Sequence, residues 1–316
     1  MIYFDIQHHG NASILNDLLE RLKSSESLVR LSYDGDIKSS EFKMLELNHK
    51  NSFSDFSITK SPQLSWGGWS IVNNMLSSIE TALTKSDWSY YVNLSGACLP
   101  LKKMPNLLAA INRQVNSPDS SFCFSFMPQR AILYVPESEN RFSHQIMQYG
   151  RVKFEGPNRI INSIKRREID PAKNIMHRLS LHFEEVGKDS FFVRALSKEE
   201  KNKRNKLMSQ EGFRVGRQWL ILSRRQAEWI VNSSFVSILR KELQSIFIPD
   251  EIFFQMALNS KQNPLRTSVI KSSLRFGEGG PYKVDMGHIK QAINEEKLII
   301  RKVNQHVYKR LGEVEK

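Results

Sequence analysis

Within the N-terminal third, short strand-like runs alternate with amphipathic helical ones, and that alternation restricts the chain to an α/β architecture. Ile2 to Gln7 reads as a strand. Ser13 to Leu22 reads as a helix with Ile14, Leu15, Leu18, Leu19 and Leu22 on one face, capped by Asn11 or Ser13. Ser27 to Tyr33 is a second strand, ending in Asp34-Gly35-Asp36. From Val72 to Leu83 the apolar residues fall at 72, 75, 76, 79, 82 and 83, which is helical spacing. Trp88 to Leu94 has the aromatic and β-branched character of a buried strand. Units of this kind build a mostly parallel sheet with helices on both faces, and ligands of such sheets sit beyond the carboxyl ends of the strands.

Farther along, Ser121 to Phe126 and Gln218 to Leu222 read as strands, and Arg224 to about Asn232 as a helix. Asn158 to Val186 is basic and reads as helical. Lys198 to Lys206 is a charge-dense loop or helix. Pro249-Asp250-Glu251 opens a helix with Ile252, Phe253, Met256 and Ala257 as its apolar face, since proline and acids suit a first turn. No repeat and no Pro-, Gly- or Ser-rich linker interrupts the 316 residues, so a single domain over 1–316 is expected.

Lys and Arg number 46 against 33 Asp and Glu, a formal net charge of +13 that favours anionic partners. No helix-turn-helix, zinc-finger or RNA-recognition signature accompanies it, so nucleic acid is not an expected partner. A basic adaptor that binds nucleic acid or a membrane through Lys165 to Arg167 and Lys198 to Lys206 is the alternative reading. The two cysteines, Cys98 and Cys123, provide no disulfide framework or zinc spacing and suit a reducing compartment. Cys98 reads as a small buried residue. The N-terminal residues lack the charged start and long apolar stretch of a secretory signal, and no run approaches the roughly 18 apolar residues that span a bilayer. A cytoplasmic protein is expected, with room for peripheral contact at an anionic inner membrane face.

Several short constellations could carry chemistry. Asp34-Gly35-Asp36 could hold a divalent ion bridging a diphosphate, or it could be turn chemistry. In Trp66-Gly67-Gly68-Trp69-Ser70, paired glycines let backbone approach a ligand beside aromatic faces. A tight turn packed with tryptophan, with Ser70 as helix cap, is the competing reading. Ser95-Gly96-Ala97-Cys98 follows a buried strand, where a binding loop belongs. Glu251 could serve as a general base, desolvated by Ile252, Phe253 and Phe254 and raised by Asp250, or as an acid that favours a helix start. Lys283, Arg301 and Lys302 could stabilise a departing anion or lie on the surface.

In order and rough spacing from His8 to Lys302, these segments resemble one family. They are Trp66 to Ser70, Trp88 through Ser95-Gly96-Ala97-Cys98-Leu99-Pro100-Leu101-Lys102, Gly216-Arg217-Gln218-Trp219, Pro249 to Phe254, and Arg301-Lys302. The family is the core-2/I-branching enzymes, glycosyltransferase family 14, which includes β-1,6-N-acetylglucosaminyltransferases and peptide O-xylosyltransferases. The resemblance implies a GT-A type fold, a UDP-sugar donor, a glycan acceptor, and inversion at the anomeric carbon with no metal or other cofactor. On that template Glu251 is the general base. His8, Asp36, Trp66, Gly67, Ser70, Ser95, Gly96, Lys283, Arg301 and Lys302 contact the donor, with Arg275 as second choice to Lys283. Trp219 and Asp250 contact the acceptor. Residues 1–115 form the nucleotide-sugar half and 116–316 the acceptor half. Many family members carry Asp where Cys98 stands, and the stretch from about 130 to 215 matches nothing transferable.

Overall fold

The computed structural model describes residues 1–8, 12–114, 121–126, 152–154, 179, 181–188, 190–211, 214–265, 267–269, 284–301, 303 and 305–314. Strand β1 (Ile2–His8) lies mid-sheet, parallel to β2 (Ser24–Tyr33) on one side and β4 (Tyr90–Ser95) on the other. Beyond β2 comes β3 (Phe53–Lys60), also parallel. Beyond β4 comes β10 (Val215–Ser223), antiparallel to both β4 and β6 (Ser121–Phe126), and the short β11 (Thr267–Val269) closes the seven-stranded sheet.

The period of two in β1 explains why helices cover both faces. Ile2, Phe4 and Ile6 pack with Leu15, Leu18, Leu19 and Leu22 of α1 (Ala12–Leu22). Tyr3 points the other way, into a core with Val72, Met75, Leu76 and Ile79 of α3 (Trp69–Leu83), Trp88 and Tyr91. Both helices bury the faces expected from their 3.6-residue spacing. The first core is completed by α4 (Asn106–Gln114), α9 (Met286–Asn294) and α10 (Gln305–Val314). The second is completed by α6 (Arg224–Asn232), α7 (Ser234–Leu243) and α8 (Phe253–Leu258). Helix α2 (Ser40–His49) shows little periodicity in sequence, and it exposes Met44 and Leu47 while burying Phe42 and Leu45. The α/β class with a mostly parallel sheet between helices is the one expected.

Two smaller sheets bring distant segments to the main one. Strand β5 (Cys98–Pro100) pairs antiparallel with β12 (Ile299–Arg301), so Arg301 lies opposite Cys98. Strand β9 (Ser190–Ala195) pairs with β7 (Val152–Phe154) and, as a hairpin, with β8 (Leu181–Gly187). The hairpin corrects the helical reading of 158–186 over its last residues. Leu181 and Phe183 are buried while Glu184 and Val186 are exposed, a period of two that the basic residues upstream obscured. Lys165 to Arg167 lie outside the described residues.

The charge-dense segment is helix α5 (Lys198–Glu211), and part of its charge is structural. Arg204, only 4% exposed, donates to Leu179 O, Leu181 O and Ser245 Oγ, while Lys203 pairs with Glu242 at 2.7 Å. At its start Arg194 grips Glu200 through two nitrogens, at 2.7 and 2.8 Å, and holds that carboxyl well below the usual carboxylate range. The folded-state value is depressed, so the pair's contribution is present above the ordinary Glu value of 4.5 and is lost as pH falls. The side chains are 29% and 38% exposed, which screens the pair. Glu200→Gln is expected to lower stability by about 0.2–1 kcal/mol near neutrality. That deficit should fade in urea titrations at increasingly acid pH.

Candidate functional site

Strands β1 to β4 run parallel and end at one edge, where their loops are tied together. Asp34 N donates to His8 O (3.0 Å) and Gly96 N to Gln7 O (3.1 Å), so the chain leaving β2 and β4 is held on the end of β1. His8 is buried, its ring stacked on Tyr33 at 5.8 Å, and a methyl on Gly96 would overlap the imidazole. Asp36 is exposed. Its Oδ1 accepts Lys38 N (2.8 Å) and its carbonyl accepts Ser39 N (3.2 Å), the turn chemistry that opens α2. Asp34 faces Lys188 Nζ at 3.5 Å. Among the described residues no three His, Cys, Asp or Glu side chains gather as metal ligands would.

After β3 the chain makes a β-turn over Ser65–Gly68, closed by Gly68 N to Ser65 O (2.9 Å), with Gly67 at φ +78 in its third position. A type II turn demands that left-handed geometry, which is why glycine stands there. Ser70 is not the helix cap. Gly68 is, and Ser70 Oγ instead accepts Ser65 N at 2.9 Å.

Gly67 O accepts Ile248 N at 2.9 Å, and the Phe247 ring lies where a Gly67 methyl would go. Ile248 is itself left-handed (φ 55, ψ 56), a strained state for a β-branched residue, held immediately before a 3-10 turn, Pro249–Glu251. Phe247 is fully buried and receives Trp66, Phe183 and Phe191 at 5.4, 5.1 and 5.7 Å between ring centres. The turn therefore hangs on the Trp66-Gly67 loop. Asp250 is buried at 7% exposure, and Glu251 beside it is half-buried. Pro249–Glu251 thus forms a separate 3-10 turn rather than the first turn of the expected helix, and α8 follows with all six of its residues buried, Phe253, Met256 and Ala257 among them. Gly67→Ala should destabilise by about 1–3 kcal/mol through overlap with Phe247, with turnover falling in the folded fraction. Chemical denaturation and steady-state rates check it.

On the far side of β4, Ser95 N donates to Cys98 Sγ (3.2 Å), and burial pushes the Cys98 thiol up against the opposing field of Arg301. Arg301 lies over the Trp219 ring at 4.3 Å. Trp219 belongs to β10, whose next residue, Leu220, is tied by its N–H to Asn93 Oδ1 (2.7 Å). Val303 N donates to Ala97 O (3.2 Å) and Tyr308 Oη to Cys98 O, which fasten the C-terminal segment to this loop. Lys302 follows directly but lies outside the described residues, as do Lys283 and Arg275.

The model of the core-2/I-branching enzymes matches the sequence over residues 35–149 and 152–277. The chain belongs to that family. It is a glycosyltransferase, and its α/β architecture agrees with the GT-A type fold that the resemblance implies. No curated protein matches the sequence. Among solved structures, mouse xyloside xylosyltransferase 1 in its apo form is 9% identical, with 97% of this chain and 99% of that one covered and a TM-score of 0.38. Residues 1–349 of S. aureus TarS are 11% identical, with 85% of this chain and 58% of that one covered and a TM-score of 0.36.

Of the residues singled out from sequence in this family member, His8 and Ser95 are the last residues of β1 and β4, Ser70 lies in the first turn of α3, and Asp36, Trp66, Gly67 and Gly96 stand on the loops that follow β2, β3 and β4. Arg301 and Trp219 meet there as a pair, joining an expected donor contact to an expected acceptor contact. Sequence reasoning missed Tyr33, Phe247, Ile248, Glu185 and Lys188. Only the glycine pair at 67 and 68 hinted that something must pack closely, and nothing local said what. No helix among the described residues is long and apolar enough to cross a membrane.

Proposed function

We propose that this glycosyltransferase moves N-acetylglucosamine or xylose from a UDP-sugar to a hydroxyl of a glycan or glycoconjugate, with inversion and without a metal. The acceptor oxygen attacks C1 of the sugar while its proton passes to the Glu251 carboxylate. The bond from C1 to the diphosphate oxygen breaks, and its electron pair leaves with UDP. Lys302, Lys283 and Arg301 offset the charge that develops there, as preorganised cations do at a leaving anion. Asp36 and His8 serve the nucleotide end, Trp66, Gly67, Ser70, Ser95 and Gly96 line the donor, and Asp250 and Trp219 face the acceptor. Residues 1–115 then act as the nucleotide-sugar half and 116–316 as the acceptor half.

The observation that carries this reading is the bond from Ile248 N to Gly67 O, because it ties the turn bearing Glu251 to the loop at the sheet edge. The first test is a thermal-shift panel of nucleotide sugars, followed by product analysis with the best donor. Turnover should persist in excess EDTA. Abolition by EDTA with rescue by manganese would revive Asp34 and Asp36 as metal ligands. The adaptor reading predicts no shift with UDP and steep salt-dependent binding to polyanions. The use of Arg204 in buried backbone hydrogen bonds and of Lys203 in an ion pair with Glu242 weakens it. Sedimentation with vesicles, with and without anionic lipid, tests peripheral membrane contact.

A further inference from the structure

Helix α3 starts without a side-chain cap of its own. Gly68 at the cap position has no side-chain oxygen to offer, and the hydroxyl of Ser70 is engaged with Ser65 N. The N–H of Ser70 in the first turn is instead met by Glu185 Oε2 at 3.0 Å, a carboxylate 115 residues farther along the chain. A carboxylate there satisfies an orphan donor and complements the positive end of the helix. A methyl on Gly68 would overlap this same carboxylate, so the glycine makes its room. Glu185 stands near the tip of the β8–β9 hairpin, and the tip is pinned beside it. Ser65 Oγ donates to Gly187 O at 3.2 Å, and Lys188 pairs with Asp34 at 3.5 Å.

The loop that Glu185 steadies is also the one that holds the catalytic turn. Gly67 O, one residue from Gly68, accepts Ile248 N and keeps that residue left-handed just before Pro249–Glu251. We propose that Glu185 is a positioning residue: by anchoring the first turn of α3 it keeps Gly67 O on Ile248 N and the Glu251 carboxylate at its working place. This rests on the reading of Glu251 as the base. The rival is apolar packing, since Trp66, Phe183 and Phe191 around Phe247 could hold the same turn without any carboxylate.

Four full-length variants separate these: Glu185→Ala, Glu185→Gln, Glu251→Gln, and the double Glu185→Ala/Glu251→Gln. Two readouts are taken. One is turnover with UDP-N-acetylglucosamine or UDP-xylose, and the other is amide hydrogen exchange of the peptide spanning 247–252. Misplacement of a catalytic group by about 1 Å can cost on the order of 10²-fold. Glu185→Ala should therefore lower kcat by roughly 10- to 100-fold, with donor KM nearly unchanged. Glu185→Gln, whose amide oxygen still accepts the Ser70 N–H, should recover most of that loss. In the Glu251→Gln background Glu185→Ala should cost nothing further, because one group acts through the other. Exchange at Ile248 and Glu251 should be about tenfold faster in Glu185→Ala.

Unchanged exchange over 247–252, a loss confined to donor KM, or full additivity with Glu251→Gln would each overturn the positioning role. Full turnover in Glu251→Gln would instead sink the base reading, and the exchange result would still judge Glu185. Should Glu185→Ala fail to fold, Glu185→Asp, one methylene too short to reach Ser70 N, reads the same exchange.

Discussion

Glu251→Gln is expected to cut turnover by a factor on the order of 10² or more, while UDP binding measured by calorimetry stays at the level of the unaltered enzyme. The amide keeps the size and shape of the carboxylate but cannot take the acceptor's proton. Glu251 is half-buried at the end of a turn whose backbone is set by its own hydrogen bonds, Glu251 N to Ile248 O (3.3 Å) and Ile252 N to Pro249 O (3.0 Å). The substitution therefore leaves the turn in place, and a lost rate reports on chemistry rather than folding. Undiminished turnover would remove Glu251 from its role.

The largest expected effect on stability lies inside the sheet, at Asp5 and Arg30. Asp5 is fully buried, and its carboxylate takes Arg30 Nη1 at 2.9 Å and Tyr91 Oη at 3.0 Å. Burial pushes the Asp5 carboxyl up, and Arg30 is the main force opposing it, with Tyr91 adding a hydrogen bond. Removing one partner strands the other charge away from water. Either Asp5→Ala or Arg30→Met should cost about 3–5 kcal/mol, a large share of the roughly 5–15 kcal/mol that holds a typical domain together. The double variant should cost clearly less than the two singles added. Urea denaturation measures all three. A loss below about 1 kcal/mol in each single variant would mean that the pair is dispensable.

Asp5 also illustrates how legible the fold was. It interrupts the apolar run Ile2–Ile6, a conflict with burial that no local pattern resolves. The register of β1 against β2 resolves it, because Asp5 stands directly opposite Arg30. The helix faces of α1 and α3 and the strands β1, β2 and β4 were legible for a simpler reason. Each is encoded by spacing within a dozen residues, and each buries most of the side chains that spacing picks out. Residues 181–186 were misread because their two-residue period sits at the end of a longer basic stretch.

The site divides in the same way. Trp66 to Ser70, Ser95 to Cys98, Pro249 to Glu251 and Arg301 could be named from the sequence because motif order along a chain is a one-dimensional property. Strand and helix periods, glycine at a turn and proline at a helix start are likewise local, since they follow from backbone sterics and from which face meets water.

What these motifs touch is different in kind. Glu185 on the first turn of α3, Phe247 under Gly67, and Arg301 between Trp219 and Cys98 join residues separated by scores to hundreds of positions. Such contacts leave no periodic trace, because they arise from sheet register and from the closing of loops around a shared core. For that reason the proposed site residues could be read as a string, whereas the arrangement linking hairpin, helix start and Glu251 emerged only once the chain had folded.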